Sequence, residues 1–476
     1  MIRWLILIHR YLGIAIGLVM VLWCLSGIVM MYVQYPSVDK NLSLRVLEPI
    51  NLEGCCQSTI IEQSALVDVN RFQLEMLAGE PVLHVNASNS QRPMFNLLQG
   101  EKYTAIDRTT ASRISDIVQN NLEIDGSANY KTVQRDQWTV TNFYNRHRPL
   151  HQFTFDDQQK TQLYISNTTG ELIQYSTGSQ RFWNWFGAVS HWLYPTFLRQ
   201  HNQLWAQLVI WLSIAGIFLT VVGIYIGVRQ LVKRWGKPDL YRGWMLWHHY
   251  LGLFFGLFIL TWVTSGLFSM NPWNMIDFSV GARSQNRLQG LPLLAQDVKR
   301  FIDRLANVTL PQDTARIEGY TLNGELFYLT YARDGSYQRF NGATLQAAPV
   351  DEEEWLVKKA YLNMVGQIDS EGLIHQDDAY YYSHHSPREF PVYRIIVNNR
   401  DKTRYYFNPI SGELIAQLDR QQRAYRWMFN ALHRGDFAAI ARARPFWDVW
   451  MWVLLVGASS GCITGAYIGL RRVFKE

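Results

Sequence analysis

The sequence predicts an integral membrane protein of the α-helical class: four transmembrane helices from two parallel repeats, with two periplasmic α+β domains. Three observations carry this. Of 476 residues 48% are hydrophobic, yet mean hydropathy is only −0.11, so the apolar residues are gathered into segments. Four segments are long enough to cross roughly 30 Å of hydrocarbon, which takes about 20 residues. The two halves of the chain also match one another.

The elements follow in order. Residues 1–33 hold the first span, near 11–33; it is too long for a signal-peptide core, and no small-x-small cleavage site follows "IVMMYVQYPSVD", so it reads as a retained anchor. Residues 34–180 form the first outer domain, and 181–228 a pre-span helix and the second span, near 204–228. The loop 229–243 leads to the third span within 244–270, near 250–270. A second outer domain occupies 271–425, followed by a pre-span helix and fourth span in 426–470, near 449–470, and a tail, 471–476.

Charge sets the orientation. The loop after the second span carries Arg229, Lys233, Arg234, Lys237 and Arg242 against one Asp, the tail carries Arg471, Arg472 and Lys475, and Arg3 lies at the N-terminus. By the positive-inside rule these three regions are cytoplasmic, which puts the long connections in the periplasm of a bacterium and the chain in its inner membrane. The 18 Trp residues suit interfacial belts in contact with lipid. A net charge of +6 without a basic run interleaved with aromatics speaks against nucleic acid.

The repeat is read residue by residue. "HRYLGIAIGLVMVLWCLSGIVMM" from His9 aligns without a gap on "HHYLGLFFGLFILTWVTSGLFSM" from His248. "GIYIGVR" from Gly223 matches "GAYIGLR" from Gly465, and "KTQLYISNTTGELI" (160–173) matches "KTRYYFNPISGELI" (402–415). The same register pairs Trp185 with Trp427, His191 with His433, and Trp205 with Trp447. Both halves start on one side of the membrane, so an axis along the membrane normal would relate them. In the outer domains, "GELFYLTYA" (324–332), "PVYRIIV" (391–397) and "TRYYFNP" (403–409) read as strands. Gly170 and Gly412 supply the positive φ of hairpin-type turns, and "DEEEWLVKKAYLN" (351–363) reads as an amphipathic helix on a sheet face.

Of twelve His, only His9, His191, His248 and His433 are matched between the halves and lie at or near helix ends in the membrane region. Ionisable residues there are costly and mark function by default; the plain alternative is an interfacial His meeting headgroups or helix-end carbonyls. His9, Gly13 and Gly17, like His248, Gly252 and Gly256, recur every four residues and share a helix face. The glycines alone favour small-xxx-small helix packing; with the His in line, a flat macrocycle is an equal candidate. A pair of axial imidazoles closes both open positions of a haem iron and favours electron transfer. No Cys-x-x-Cys-His is present, so the haem would be b-type, two per chain, one on His9/His248 and one on His191/His433.

Secondary candidates surround these. His201 and His249 are alternate ligands, Arg10 is a partner for a haem propionate or a topology-fixing charge, and Trp23 and Trp262 are packing residues or lie between the haems. His147, His151, His384 and His385, with "AYYYS" (379–383), are solvated loop residues or substrate contacts. Cys24 and Cys462 lie in spans, and the adjacent Cys55 and Cys56 read as structural or incidental. No Cys/His spacing supplies four zinc ligands at one depth.

These halves, with His-Arg-Tyr-Leu-Gly opening a span, a Thr-Gly-Glu or Ser-Gly-Glu turn, and a Tyr-Ile-Gly-x-Arg exit, resemble the PepSY-associated transmembrane family of bacterial inner-membrane proteins over essentially the whole chain. The resemblance implies four spans and periplasmic PepSY-like domains. It also implies that the helix-opening His of the family falls on His9 and His248 and the pre-span His on His191 and His433. Some members are di-haem siderophore reductases that release iron as Fe(II) in the periplasm; others carry fused flavin and NADPH modules, which this chain lacks. The expectation is therefore a haem-b oxidoreductase without a catalytic nucleophile or base, taking electrons from a cytoplasmic or quinone donor to a periplasmic ferric chelate, a siderophore above all. The alternatives are a PepSY-type binding or regulatory protein acting on a periplasmic protease, and a small transporter.

Overall fold

The structure is a computed structural model that describes residues 2–64, 66, 68–87, 92–233, 235, 241–384 and 388–474. His385, Arg234, Lys237 and Lys475, singled out above, lie outside the described residues.

Four helices are long and apolar enough to span a membrane: Ile2–Met30, Asn202–Lys233, Trp244–Ser269 and Phe446–Val473. At 1.5 Å per residue even the 26-residue third helix is about 39 Å long and overreaches the hydrocarbon. The first helix begins at Ile2 rather than near 11, because Arg3, His9 and Arg10 do not interrupt a continuous helical pattern. His9 thus lies two turns inside its helix. The first span packs on the second and fourth, and the third packs on the same two, which closes a four-helix ring with the first and third on a diagonal. Small residues permit the contact: a methyl on Gly457 would fall 2.1 Å from the Phe255 ring.

The remaining chain folds into three antiparallel sheets at one end of the bundle. In chain order the strands are β1 (Val69–Leu77), β2 (Glu80–Ala87), β3 (Met94–Asn96), β4 (Glu101–Tyr103), β5 (Ala128–Val133), β6 (Leu150–Phe155), β7 (Gln162–Ser166), β8 (Leu172–Ser176), β9 (Thr314–Leu322), β10 (Glu325–Ala332), β11 (Tyr337–Asn341), β12 (Gln367–Ile374), β13 (Val392–Asn398), β14 (Arg404–Phe407) and β15 (Leu414–Leu418). β5 to β8 and β12 to β15 form two four-stranded meanders. The third sheet has seven strands in the order β11-β10-β9-β1-β2-β3-β4. Each outer segment, 34–180 and 271–425, thus keeps a meander of its own, and strands from both also join in the seven-stranded sheet.

The junction is the antiparallel pair β1–β9, in which Gln73 faces Glu318 and Glu75 faces Arg316. The adjoining hairpins turn at Ala78-Gly79 and Asn323-Gly324, all four at positive φ, as two-residue hairpin loops require. One face of the sheet is apolar: Phe72, Leu74 and Ile317 are buried with Val298, Phe301, Ile302 and Leu305 of helix Ala295–Leu305. Gly319 makes room for Phe72, whose ring would lie 2.0 Å from an added methyl. The opposite face carries charge. Gly170 and Gly412, at φ 70° and 74° as the turn reading requires, bring Glu171 and Glu413 onto it, and Glu413 pairs with Arg71. The segment read as a helix forms Glu352–Val365, capped by Asp351 and packed through Leu362 against Ile395, Val397 and Phe407. Cys55 and Cys56 are bonded to each other.

Glu75 is 1% exposed, with Arg316 Nη2 at 3.1 Å, Gln73 Nε2 at 2.8 Å and His84 Nε2 at 3.4 Å. Burial pushes its carboxyl up, but the Arg316 guanidinium and His84 outweigh that and hold it at about 2. A carboxylate depressed in the folded state contributes stability above its ordinary value of 4.5 that is lost as pH falls toward about 2. Glu75→Gln, which leaves Arg316 buried without its charge partner, should cost about 3 kcal/mol at neutral pH. The gap in thermal midpoint between variant and wild type, measured in detergent, should narrow as pH falls through that window; a gap independent of pH would refute the assignment.

Candidate functional site

Two cavities lie inside the helix ring, one at each end, and each contains a facing pair of imidazoles. At the end away from the sheets, the His9 and His248 ring centres are 6.3 Å apart across the bundle diagonal. His9 Nδ1 lies 3.2 Å from the Leu219 carbonyl oxygen and His248 Nδ1 lies 3.1 Å from that of Gly461. The surrounding cavity, about 260 Å³, is lined by Gly13, Gly17, Gly252 and Gly256, so the two glycine ladders form the walls of the slot beside the imidazoles. Arg10 and Arg472 line it at the helix ends.

At the sheet end, His191 and His433 sit on short helices, Ala188–His191 and Leu432–Arg434, just before the second and fourth spans. Their ring centres are 6.1 Å apart. His191 Nδ1 is 3.1 Å from the Trp23 carbonyl oxygen and 3.1 Å from Ser26 Oγ. His433 Nδ1 repeats this with Trp262 at 3.2 Å and Ser265 at 3.0 Å. Both serines are buried, and they donate to helix carbonyls including those of Trp23 and Trp262. The cavity here is about 430 Å³. Met20 and Ile259, matched in the repeat, line both cavities and divide them.

One local rule places all four rings. Each acceptor carbonyl lies four residues before a glycine: Leu219 before Gly223, Gly461 before Gly465, Trp23 before Gly27, and Trp262 before Gly266. A helical side chain covers the turn N-terminal to its own Cα, so a glycine at that place leaves the carbonyl open to a second donor. The fit is tightest at the far end, where a methyl on Gly223 or Gly465 would fall 2.6 Å from Cε1 of His9 or His248. At Gly27 and Gly266 the same distance is 3.8 Å.

The chemistry follows from the tautomer. With Nδ1–H given to a carbonyl, Nε2 carries the lone pair, the arrangement a metal-binding His uses to fix its ring. A ring nitrogen binds a first-row metal at about 2.0–2.1 Å and lies roughly 1.1 Å from its ring centre, so imidazoles on opposite sides of one metal have centres about 6.2–6.4 Å apart. Both pairs stand at that separation or within about 0.1 Å of it. Among the described residues no group of three or more His, Cys, Asp and Glu side chains converges to hold an ion. Each pair could hold a metal between its two imidazoles, and the slot walled by Gly13, Gly17, Gly252 and Gly256 beside His9 and His248 has room for a flat group.

Of the residues that the sequence singled out, His9, His248, Gly13, Gly17, Gly252, Gly256 and Arg10 line the far-end cavity, and His191 and His433 line the sheet-end one. His249 lines the far-end cavity, whereas His201 is exposed and lines neither. Trp23 and Trp262 line only the sheet-end cavity, so they do not lie between the two sites. His147 and His151 are buried in the first meander, bonded to Ser166 and to the Ile106 carbonyl, and are not solvated loop residues. His384 lines the sheet-end cavity. Sequence reasoning passed over Ser26, Ser265, Gly223 and Gly465 as participants, although all four stand inside the matched segments.

Comparison with known families gives one result: the family described as PepSY-associated TM region matches residues 6–472, and the chain belongs to it. No curated protein matches the chain.

The glycine rule orders a set of variants. Gly223→Ala and Gly465→Ala overpack an imidazole and should each cost about 1–3 kcal/mol, read as a lower thermal midpoint in detergent. Gly27→Ala and Gly266→Ala should be milder. Equal tolerance at all four positions would contradict the rule.

Proposed function

We propose that this PepSY-associated membrane protein is a haem-b electron-transfer protein that reduces a periplasmic ferric chelate, a siderophore by class, for iron uptake. The observation that carries the reading is the pair of facing imidazole couples at 6.3 Å and 6.1 Å, each with Nδ1 engaged by a helix carbonyl. His9 and His248 would hold one haem and His191 and His433 the other. Held by these residues, haem would supply a one-electron carrier.

The chain's own residues do the rest. Gly13, Gly17, Gly252 and Gly256 leave flat walls for a macrocycle. Arg10 and Arg472 at one cavity and Arg434 at the other are placed to pair with carboxylates at its edge. Met20 and Ile259 exclude water between the sites and keep the dielectric low, a setting that tunes potential. Outer-sphere reduction asks for no nucleophile or general base.

Orientation and symmetry belong to the same reading. Arg229, Lys233, Arg471 and Arg472 sit at the helix ends away from the sheets, which favours a cytoplasmic placement of that end and a periplasmic one for the sheets. The repeat is supported by register: Gln73 and Glu318, opposite each other in β1–β9, are 245 residues apart, as are the Gly79 and Gly324 turns. An axis through that pair and down the bundle relates His9 to His248 and His191 to His433. The electron donor is a cytoplasmic reductant or a membrane quinol.

The purified protein, expressed with haem precursor, should show a Soret band that sharpens on dithionite and two haems per chain. His9→Ala and His248→Ala should each remove one and the same haem; His191→Ala and His433→Ala should remove the other. No Soret band, or loss of both haems in every variant, would overturn the scheme and favour a binding role for the sheets.

A further inference from the structure

His384 has a setting that the two axial couples do not explain. Its side chain is 4% exposed, lines the sheet-end cavity with His191 and His433, and lies edge-on to Trp447 with ring centres 4.3 Å apart. Its Nδ1 is 3.2 Å from Oδ1 of Asp436, whose side chain is 1% exposed. Tyr382 OH stands 3.4 Å from Oδ2 of the same carboxylate. Arg426 ties the two segments together, donating from Nη2 to the Asp436 carbonyl at 2.6 Å and from Nε to the Ala379 carbonyl at 2.9 Å. The imidazole and its carboxylate are therefore fixed to the loop that presents His433, three residues from Asp436.

This arrangement belongs to one half of the chain. In the register that pairs His191 with His433, His384 falls on Asn142 and Asp436 on Tyr194, so the first half has neither an imidazole nor a carboxylate there. The far-end cavity has no Asp or Glu among its described lining residues. A buried His and Asp together carry either no net charge or a charge of −1, according to whether a proton is bound. In a low-dielectric cavity, negative charge added nearby raises the proton affinity of such a pair.

We propose that the His384–Asp436 pair is a proton-holding positioning element of the sheet-end site. When one electron arrives at the His191/His433 site from a reductant, one proton from water at the sheet end binds the pair; when the electron leaves for a ferric chelate, the proton is released. Charge in the cavity is thereby conserved through the cycle. Among the described residues, cationic and aromatic groups surround the pair: Arg434 on the same cavity, Arg426 and Arg442 over the Tyr382 ring, Arg388 donating to the Tyr382 carbonyl, and Arg444 against Trp447. Arg442 lies 3.7 Å from Asp377 and Arg444 lies 3.8 Å from Asp448, so the acids that could compete for the proton are engaged elsewhere. His191 and His433 are committed through Nδ1 to carbonyls.

This inference rests on the haem reading above, and its test separates the two. Reductive titration of the purified full-length holoprotein with dithionite, followed by absorbance at several pH values, gives the midpoint potential of each haem. In the wild type one haem should become harder to reduce as pH rises and the other should not change. In His384→Gln and Asp436→Asn both haems should remain, and the pH dependence of the first should be lost. Potentials independent of pH in the wild type, or a pH dependence retained in both variants, would overturn the proton-holding role while leaving the haem assignment intact. A wild-type protein that binds no haem would overturn the assignment and this inference together.

Discussion

An imidazole buried in an apolar helix bundle has one N–H to satisfy, and leaving it unmatched would cost several kcal/mol. Much of this molecule follows from how that single demand is met. Helix carbonyls are already bonded within their own helix, so a second donor reaches one only where the side chain over it is missing. The four glycines that follow the four acceptors by one turn provide this opening, and in doing so decide which ring nitrogen carries the proton. The glycines read from the sequence as a slot for a flat group and those that seat the imidazoles are different sets, on opposite partners in each contact. One set shapes space and the other sets a tautomer.

The same pairing of halves recurs outside the bundle. His9 meets His248, His191 meets His433, and β1 meets β9, so every central contact joins one half of the chain to the other. The shared sheet is the stiff member of this set. Its apolar face is closed by Phe301 and its neighbours, and its charged face is held by Glu75 with Arg316 and by Arg71 with Glu413. The pre-span helices are held by the bundle itself, Ala188–His191 packing on the first span and Leu432–Arg434 on the third.

What was legible in the sequence was local or duplicated. Twenty-residue apolar runs, turn glycines such as Gly170 and Gly412, and four His in matched registers all leave a pattern in the order of residues; a long apolar helix covers each run, and both turn glycines have positive φ. Pairing between distant segments leaves no such trace. Nothing periodic marks β1 and β9 as neighbours, so the sheet that joins the two outer segments is not legible in the sequence. His147 and His151 looked solvent-facing because polar loops surround them in sequence, whereas their partners, Ser166 and the Ile106 carbonyl, come from elsewhere in the first meander and its flanking chain. The apolar run marks the first span only from residue 11, whereas the helix starts at Ile2, because long charged side chains such as those of Arg3 and Arg10 reach toward the interface without breaking the helix.

The central pair of the sheet also bears on ancestry. On the parallel-repeat reading, a half-length forebear would have closed as two identical copies, with residue 73 facing its own twin across the axis. Two glutamates in that place would repel; an amide opposite an acid does not, and neither does Glu75 opposite Arg316. On that reading, joining the copies in one polypeptide would release the seam from self-complementarity and let position 73 and position 318 differ, as Gln73 and Glu318 do.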